Sequence, residues 1–343
     1  MDHERGRIIV KILVTGGAGF IGSHTCVELL EAGFEIVVFD NFYNSDETAI
    51  QNIKKITGKE FPFYCCDMTD PQAMEAIFAA HRFDAVIHFA GYKAVGESVQ
   101  KPLMYYQNNI YGTLCLLEVM ARHQVKRIVF SSSATVYGTP ETVPIREDFP
   151  LSVTNPYGRT KLMIEEILRD LWISDPEWSI VLLRYFNPVG AHQSALLSEN
   201  PKGIPNNIMP RIMKVALKEE PYLTVFGDDY ATKDGTGVRD YIHVVDLAKG
   251  HVKALEYAAA HHTAEAFNLG TGNGYSVLEL IHTFEQVNGV SVPYHIVERR
   301  PGDVAECYAD PSKAHDVLHW QAERSLSEMC RDIFRTAEKS RRR

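Results

Sequence analysis

At 343 residues, 45% hydrophobic and 23% charged, the chain has the make-up of globular material and the length for one large domain or two modest ones. A formal net charge of −9 argues against a nucleic-acid or anionic-membrane partner, and no apolar run approaches the roughly eighteen residues of a membrane span. Met1–Arg7 is charged and leads straight into an apolar run, so it does not read as a signal peptide, and the basic Lys339–Arg343 reads as a solvated tail.

Six cysteines (Cys26, Cys65, Cys66, Cys115, Cys307, Cys330) show neither a Cys-x-x-Cys pair nor a zinc spacing, so no metal is expected. Their settings suit free thiols acting as small hydrophobes, and no Asn-x-Ser/Thr sequon occurs. A reducing, cytoplasmic location is the expectation.

In chain order, continuous apolar runs fall at Ile8–Val14, Phe34–Phe39, Phe61–Cys66, Ala85–Phe89, Arg127–Phe130 and Ile180–Leu183. Helical periodicity falls between them, near Phe20–Ala32, Pro71–Ala80, Leu103–His123 and Tyr157–Leu171. Strands without polar alternation are buried on both faces, which predicts an α/β fold: a Rossmann-type, doubly wound parallel sheet with its ligand at the strands' carboxyl ends. Residues 1–187 form this expected dinucleotide-binding domain. Residues 188–343 form a smaller mixed α/β substrate domain, with helices near Asn207–Lys218, Val245–Ala260, Val277–Val287 and Leu326–Glu338. Glu265–Gly272 looks strand-like, and the stretch around 245–272 is a candidate to pack back on the first domain. No Gly/Ser linker separates the halves, which predicts a tight interface with a cleft.

Gly17-Ala18-Gly19-Phe20-Ile21-Gly22 follows the first strand and opens a helix, with Gly16 adding an overlapping Gly16-x-x-Gly19-x-x-Gly22 spacing. That context fits a dinucleotide site, where backbone must approach a pyrophosphate at a helix N-terminus. Asp40 ends the next strand, at the spacing of an acid that binds ribose hydroxyls. A carboxylate there repels a 2′-phosphate, and Asn41-Phe42-Tyr43-Asn44 brings no arginine, so the cofactor is expected to be NAD. Asp67 suits the adenine edge, although Asp67–Asp70 also reads as a turn with an N-cap. Phe89-Ala90-Gly91 offers small groups for close approach, and Ser131-Ser132-Ser133 ends the fifth strand with hydroxyls at the cleft floor.

Asn155 suits an N-cap and Pro156 the first helical position, so a helix should begin there. Tyr157 and Lys161 then share a face, one turn apart. A free phenol ionises near about 10, and a neighbouring cation and the positive helix end both favour the phenolate. Tyr-x-x-x-Lys alone is common on helix surfaces. Its weight comes from joining the glycine loop and Ser133 in one expected order.

That order resembles the extended short-chain dehydrogenase/reductase superfamily. Longer stretches resemble its UDP-glucose (UDP-galactose) 4-epimerases: His88 to Ser98, Phe130 to Gly138, Leu183 to Ala191 and Gly237 to His243. The resemblance implies that Tyr157 acts as base at the sugar O4 with Ser133 bridging, while Lys161 bonds the nicotinamide ribose. The cycle it implies is redox-neutral, through a 4-keto sugar, with NAD tightly held. It adds Phe20, Ile21, Asn41, Asn44, Met68, Lys93, Asn108 and Tyr185 to the cofactor site. It places Asn187, Asn207, Arg239, Arg300 and Asp303 around UDP, with Lys93 also near the substrate, and it implies a homodimer paired through Leu103–His123 and Tyr157–Leu171. Without it, Arg300 would read as a solvated surface charge. His243 and Asp246 are read as structural, since two ligands do not make a metal site.

Cys307 falls where relatives restricted to plain hexoses carry a tyrosine, so the resemblance extends the expected substrates to UDP-GlcNAc and UDP-GalNAc. A packing variant is the alternative. A 4,6-dehydratase on this fold needs an acid–base pair directly after the strand-five hydroxyl, where this chain has Ala134 and Thr135. A uronate 4-epimerase differs mainly in the pocket for C6. An inactive NAD-sensing protein would typically lose the tyrosine or lysine, and both are present.

Overall fold

The computed structural model describes residues 10–202, 207–300 and 302–341. Met1–Arg7, the start of the first apolar run, Gly203 and Pro205 of the loop-rich stretch, and Arg342 and Arg343 of the tail lie outside these.

The first half runs β1 (Lys11–Thr15), α1 (Phe20–Glu31), β2 (Glu35–Asp40), α2 (Glu47–Thr57), β3 (Phe63–Cys65), α3 (Pro71–Ala80) and β4 (Ala85–His88). It continues through α4 (Val95–Gln100), α5 (Pro102–Tyr105), a π-helical segment (Tyr106–Tyr111), α6 (Gly112–Arg122), β5 (Arg127–Ser133), α7 (Pro156–Ser174) and β6 (Ser179–Tyr185). The second half holds β7 (Asn187–Val189), α8 (Ile208–Ala216), β8 (Leu223–Phe226), β9 (Val238–Arg239), β10 (Tyr241–His243), α9 (Val244–Ala260) and β11 (Ala264–Leu269). It closes with β12 (Tyr275–Ser276), α10 (Val277–Asn288), β13 (Tyr294–Val297), β14 (Glu306–Cys307), α11 (Ser312–Leu318) and α12 (Leu326–Arg341).

Seven strands form one parallel sheet in the order β11-β6-β5-β4-β1-β2-β3. The reason is visible in β1. Ile12 and Val14 enter the core on one face of the sheet and Leu13 the core on the other, all fully buried. Each such aliphatic side chain contributes about 1.5–3 kcal/mol, so a run without alternation is stable only between two helical layers. Strand order reverses between β1 and β4, opening a crevice at their carboxyl ends where the glycine loop lies.

Helix starts follow local chemistry. Asn155 Oδ1 accepts from Gly158 N at 2.8 Å and Pro156 takes the first helical position of α7. Asp70 likewise caps α3, accepting from Gln72 N and Ala73 N. Leu103–His123 reads as one helix in the sequence, but Tyr106–Tyr111 is a π-helical segment, which turns Asn108 and Asn109 inward.

β11 departs from simple chain order. Although late in the chain, it pairs in parallel with β6, from Ala264 opposite Ile180 to Leu269 opposite Tyr185. The smaller lobe has short sheets (β10-β7, β12-β9-β14, β13-β8) over a separate core that includes Met209, Ile212, Leu280, Phe284 and Met329.

Candidate active site

The glycine loop is built by close approach. Gly16 adopts φ +67°, and a Cβ there would lie 2.7 Å from Ala90 N. A Cβ on Gly22 would lie 2.4 Å from Gly16 O, so α1 begins hard against the end of β1. Gly19 caps α1 without a side-chain bond, leaving first-turn N–H groups, those of Phe20 and Ile21 among them, for an external acceptor. Asp40 braces the loop: its carboxylate accepts from Ala18 N at 3.0 Å, Phe42 N at 2.9 Å and Ser45 Oγ at 2.9 Å. Three acceptor positions are used and one remains for a ligand hydroxyl.

The neighbouring loops converge on the same crevice. Asn41 Nδ2 donates to Asp67 Oδ2 at 2.8 Å, while Thr69 binds the other Asp67 oxygen, so the turn reading of Asp67 holds structurally. Met68 is buried against Gly112, which lacks the Cβ that would strike it. After β4 come Phe89, Ala90 and Gly91. Ala90 N donates to Thr15 Oγ1 at 3.2 Å, and Asn109 clamps Tyr92 through both its N and O. Asn108 is buried and donates to Asn109 Oδ1. Lys93 forms an ion pair with Glu199 at 3.0 Å, and Asn44 accepts from Lys202 N.

At the crevice floor, Lys161 Nζ donates to Ser131 O at 2.6 Å and lies 4.8 Å from the Phe130 ring centre and 6.0 Å from that of Tyr157. Ser133 Oγ accepts from Thr135 N at 3.2 Å and Thr135 Oγ1 at 3.0 Å, so its own proton is free to point elsewhere. Thr135, noted in the sequence only for what it cannot do, thus positions the serine. A Cβ on Gly158 would meet Thr135 O at 3.2 Å, which lets α7 seat tightly on this turn. Tyr157 N donates to Ser98 Oγ, fixing the helix start from α4.

The expected electrostatics need correcting. Burial pushes the Tyr157 phenol above its ordinary value, with the Ser133 hydroxyl working the other way. Burial also pushes the Lys161 ammonium down to about 7, with Glu165 opposing. Counting only a cation and a helix end omits the desolvation that both groups meet in this crevice. Burial therefore works against the charged form of both groups.

Four contributors escape sequence reasoning. Glu165 and Arg184, each 1% exposed, form a buried bidentate pair at 2.6 and 3.0 Å, and Ser132 Oγ donates to Glu165 at 2.5 Å. The available signal was Glu165 lying four residues beyond Lys161, on the same helical face. His251 is fully buried, donates from Nδ1 to Leu247 O and accepts at Nε2 from the Tyr185 hydroxyl at 2.9 Å. Burial holds this histidine neutral, down to about 4, and raises the Tyr185 phenol with Ser131 opposing. Phe226, ending β8, lies 5.4 Å beneath the Arg300 guanidinium.

The smaller lobe supplies the facing wall. β9 pairs with β14 so that Arg239 stands opposite Cys307, and β7 pairs with β10 so that Asn187 stands opposite Tyr241. Arg239 Nη1 donates to Val238 O at 2.8 Å. Cys307 packs with Val136, Tyr137, Phe186 and Ala309, in the same cluster as Ala134, directly beyond Ser133. Burial pushes its thiol up to about 11 with Arg239 opposing, so it is a neutral, apolar wall. Asn207 donates to Glu199 at 2.6 Å. Arg300 pairs with Asp303 at 3.0 Å and is 55% exposed, so the structure gives it the contacts of a surface pair. His243 caps α9 and pairs with Asp332, and Asp246 pairs with Arg324 and accepts from Glu323 N, both structural settings. Among the described residues, no three His, Cys, Asp or Glu side chains gather as a metal site.

Residues 13–333 match the family model described as GDP-mannose 4,6 dehydratase. The chain is 62% identical over 326 residues to the UDP-glucose 4-epimerase of Bacillus subtilis, covering 95% of this chain and 96% of that protein. It superposes with TM-score 0.94 and 54% identity on UDP-glucose 4-epimerase from Bifidobacterium longum in complex with NAD+ and UDP, covering 97% of this chain and 99% of that one. A UDP-glucuronic acid 4-epimerase from Bacillus cereus gives TM-score 0.83 at 29% identity, over 96% of this chain and all of that one. With these likenesses spanning both lobes and the motifs in their expected places, the chain belongs to the UDP-glucose 4-epimerase family within the extended short-chain dehydrogenase/reductases.

Proposed function

We propose that this chain is a UDP-glucose 4-epimerase, interconverting UDP-galactose and UDP-glucose with a resident NAD. The observation that carries the reading is the convergence of Tyr157, Lys161 and the Thr135-oriented Ser133 on the floor of the glycine-loop crevice. The residues fit the cofactor. The glycine cradle excludes even a methyl group, α1 offers uncapped N–H donors, and Asp40 closes the ribose end in a way that disfavours a 2′-phosphate. NAD supplies a reversible hydride acceptor for the sugar C4.

The chain's own residues then handle the proton. Tyr157 would take it from the sugar O4 and return it to the same oxygen once the sugar has presented its other face. Ser133, its oxygen already satisfied by Thr135, donates to O4 or to the phenol. Lys161, held by Ser131 O, stabilises the phenolate whenever it is charged. Tyr185 is held by His251 at the cofactor side of the same floor. Asn187, Asn207, Arg239, Arg300 and Asp303 are assigned to UDP, the arginines through charge-assisted bonds to the diphosphate. Lys93 is assigned to both ligands.

Cys307 carries the finer assignment. A small neutral thiol packed beside the Ser133 turn leaves room that a tyrosine would fill, which extends the substrates to UDP-GlcNAc and UDP-GalNAc. A homodimer is also assigned. Leu103 (80% exposed), Tyr111, Leu114 and Met163 form an exposed apolar surface on α5, the π-helical segment, α6 and α7. Light scattering at a single chain's mass would refute it. The free cysteines agree with a cytoplasmic setting.

The deciding experiment incubates purified protein with UDP-galactose and no added NAD. UDP-glucose should form, and Tyr157→Phe should lose at least about 100-fold in kcat while keeping bound NAD, in line with loss of a positioned acid–base group. Absence of product from a protein shown to contain NAD would overturn the assignment.

A further inference from the structure

The stretch from Leu196 to Lys202 belongs to the smaller lobe by position, yet its bonds go to the dinucleotide crevice. It is rooted by Leu197, which is 3% exposed in the core beside α1, and by a bridge between Ala191 and Ser198. Asn52 of α2 donates to Leu196 O at 2.8 Å. Lys202 then reaches the loop after β2 twice, its N donating to Asn44 Oδ1 at 2.9 Å and its Nζ to Phe42 O at 2.7 Å. Between these anchors, Glu199 takes Lys93 from the loop after β4. The Glu199 side chain is only 4% exposed, an unusual degree of burial for a carboxylate in a loop.

Topology gives these bonds their meaning. β2 and β4 flank β1 on opposite sides, and the glycine loop follows β1. A segment fastened to the loop after β2 and to the loop after β4 therefore spans the two loops on either side of the glycine loop. The same two loops also touch each other directly, Tyr43 against Tyr92 with ring centres 4.4 Å apart. A tie across those loops would hinder the exit of a dinucleotide lying on the glycine loop.

We propose that residues 196–202 are a retaining strap of the dinucleotide site, fastened by Glu199 to Lys93 and by Lys202 to Phe42 and Asn44. The inference rests on reading the crevice as an NAD site. It assigns to Glu199 and Lys202 a role in keeping the cofactor, distinct from contact with the reacting atoms. A redox-neutral cycle has no need to exchange its cofactor, so a fastening that slows exit costs such an enzyme nothing in turnover.

The test is the rate at which NAD leaves the full-length holoenzyme on dilution into cofactor-free buffer. It is measured as nucleotide still bound after gel filtration at timed intervals. Glu199→Gln and Lys202→Met should each lose NAD at least several-fold faster than the parent, and the double variant at least tenfold faster. Lys202→Arg, which keeps a donor at the same reach, should stay within about twofold of the parent, a rescue that general destabilisation would not give. Lys202 is exposed, so its variant carries the test if the buried Glu199 variant does not fold. Variants that release NAD at the parent's rate overturn the strap alone. A parent that neither contains nor takes up NAD overturns the dinucleotide reading, and the strap with it.

Discussion

The two walls of the cleft are held by different means. On the first-domain side, the glycine cradle, Lys161, Ser133 and Tyr185 are each fixed by backbone or by a buried partner: Asp40, Ser131 O, Thr135 and His251. On the smaller-lobe side, Arg300, Asp303 and Asn207 are held mainly by one another or by Glu199, and Arg300 is largely in water. Chemistry at C4 requires reacting groups held to fractions of an ångström, whereas recognition of a nucleotide can tolerate side chains that settle when it arrives. A change on the first wall should therefore stop all turnover, a change among the UDP contacts of the second should weaken every UDP-sugar alike, and a change at Cys307 should sort substrates.

Gly22→Ala is the harshest way to break that contrast. Its Cβ would sit 2.4 Å from Gly16 O, a backbone atom that cannot swing aside, so the loop must open. The affinity for NAD, measured by titration into the purified protein, should fall by about 100-fold or more, and activity on every UDP-sugar with it. That corresponds to about 2.7 kcal/mol of lost binding. Retention of cofactor would show that the loop is softer than its packing implies.

Cys307→Tyr sharpens the contrast from the other side. Activity on UDP-GalNAc should fall at least about tenfold, a loss of roughly 1.4 kcal/mol or more, while UDP-galactose turnover stays within about threefold. Equal loss on both sugars would reduce Cys307 to a packing residue.

A further effect is in pH dependence, and it belongs to the first wall. Lys161 has an ordinary value of 10.5 and is pushed down to about 7 by burial. Below about 7 it is protonated in both the folded and unfolded chain, and the cost of the buried ammonium is then fully present. As pH rises through 7 the folded state releases its proton while the unfolded chain keeps it, so stability increases with pH up to about 10. In cofactor-free protein, urea unfolding between pH 7 and 9 should show up to about 1.4 kcal/mol of added stability per pH unit from this group. Lys161→Met should lack that contribution. An unchanged slope would mean that Lys161 titrates in the fold as it does in water.

The parallel sheet was legible because its strands must be apolar on both faces, and α7 because Asn155 and Pro156 announce it. α2 was missed despite fair signals, the Asp46 cap, the closing Gly58 and buried Ile50 and Ile53. β9, β12 and β14 have two residues each, too few for any period to show. The glycine loop, Asp40 and the Tyr157–Lys161 face could be located from spacing because each is local in sequence. Glu165 with Arg184, Tyr185 with His251 and Glu199 with Lys93 pair across 19, 66 and 106 positions, and no local pattern encodes such meetings. The sign of the shift at Tyr157 was illegible for a related reason. Desolvation is set by everything packed around a group, and most of that comes from elsewhere in the chain.

The late arrival of β11 has a consequence for how the protein is made. Until residues 264–269 leave the ribosome, β6 has no neighbour on its outer side, and its backbone faces solvent along the edge of a growing sheet. Residues 186–263 must be synthesised in between, which takes roughly 4 to 16 s at about 5–20 residues per second. For that interval the nascent chain carries an adhesive edge of fully buried type, Ser179 to Tyr185, and the segment that ends the exposure is the one the chain delivers itself.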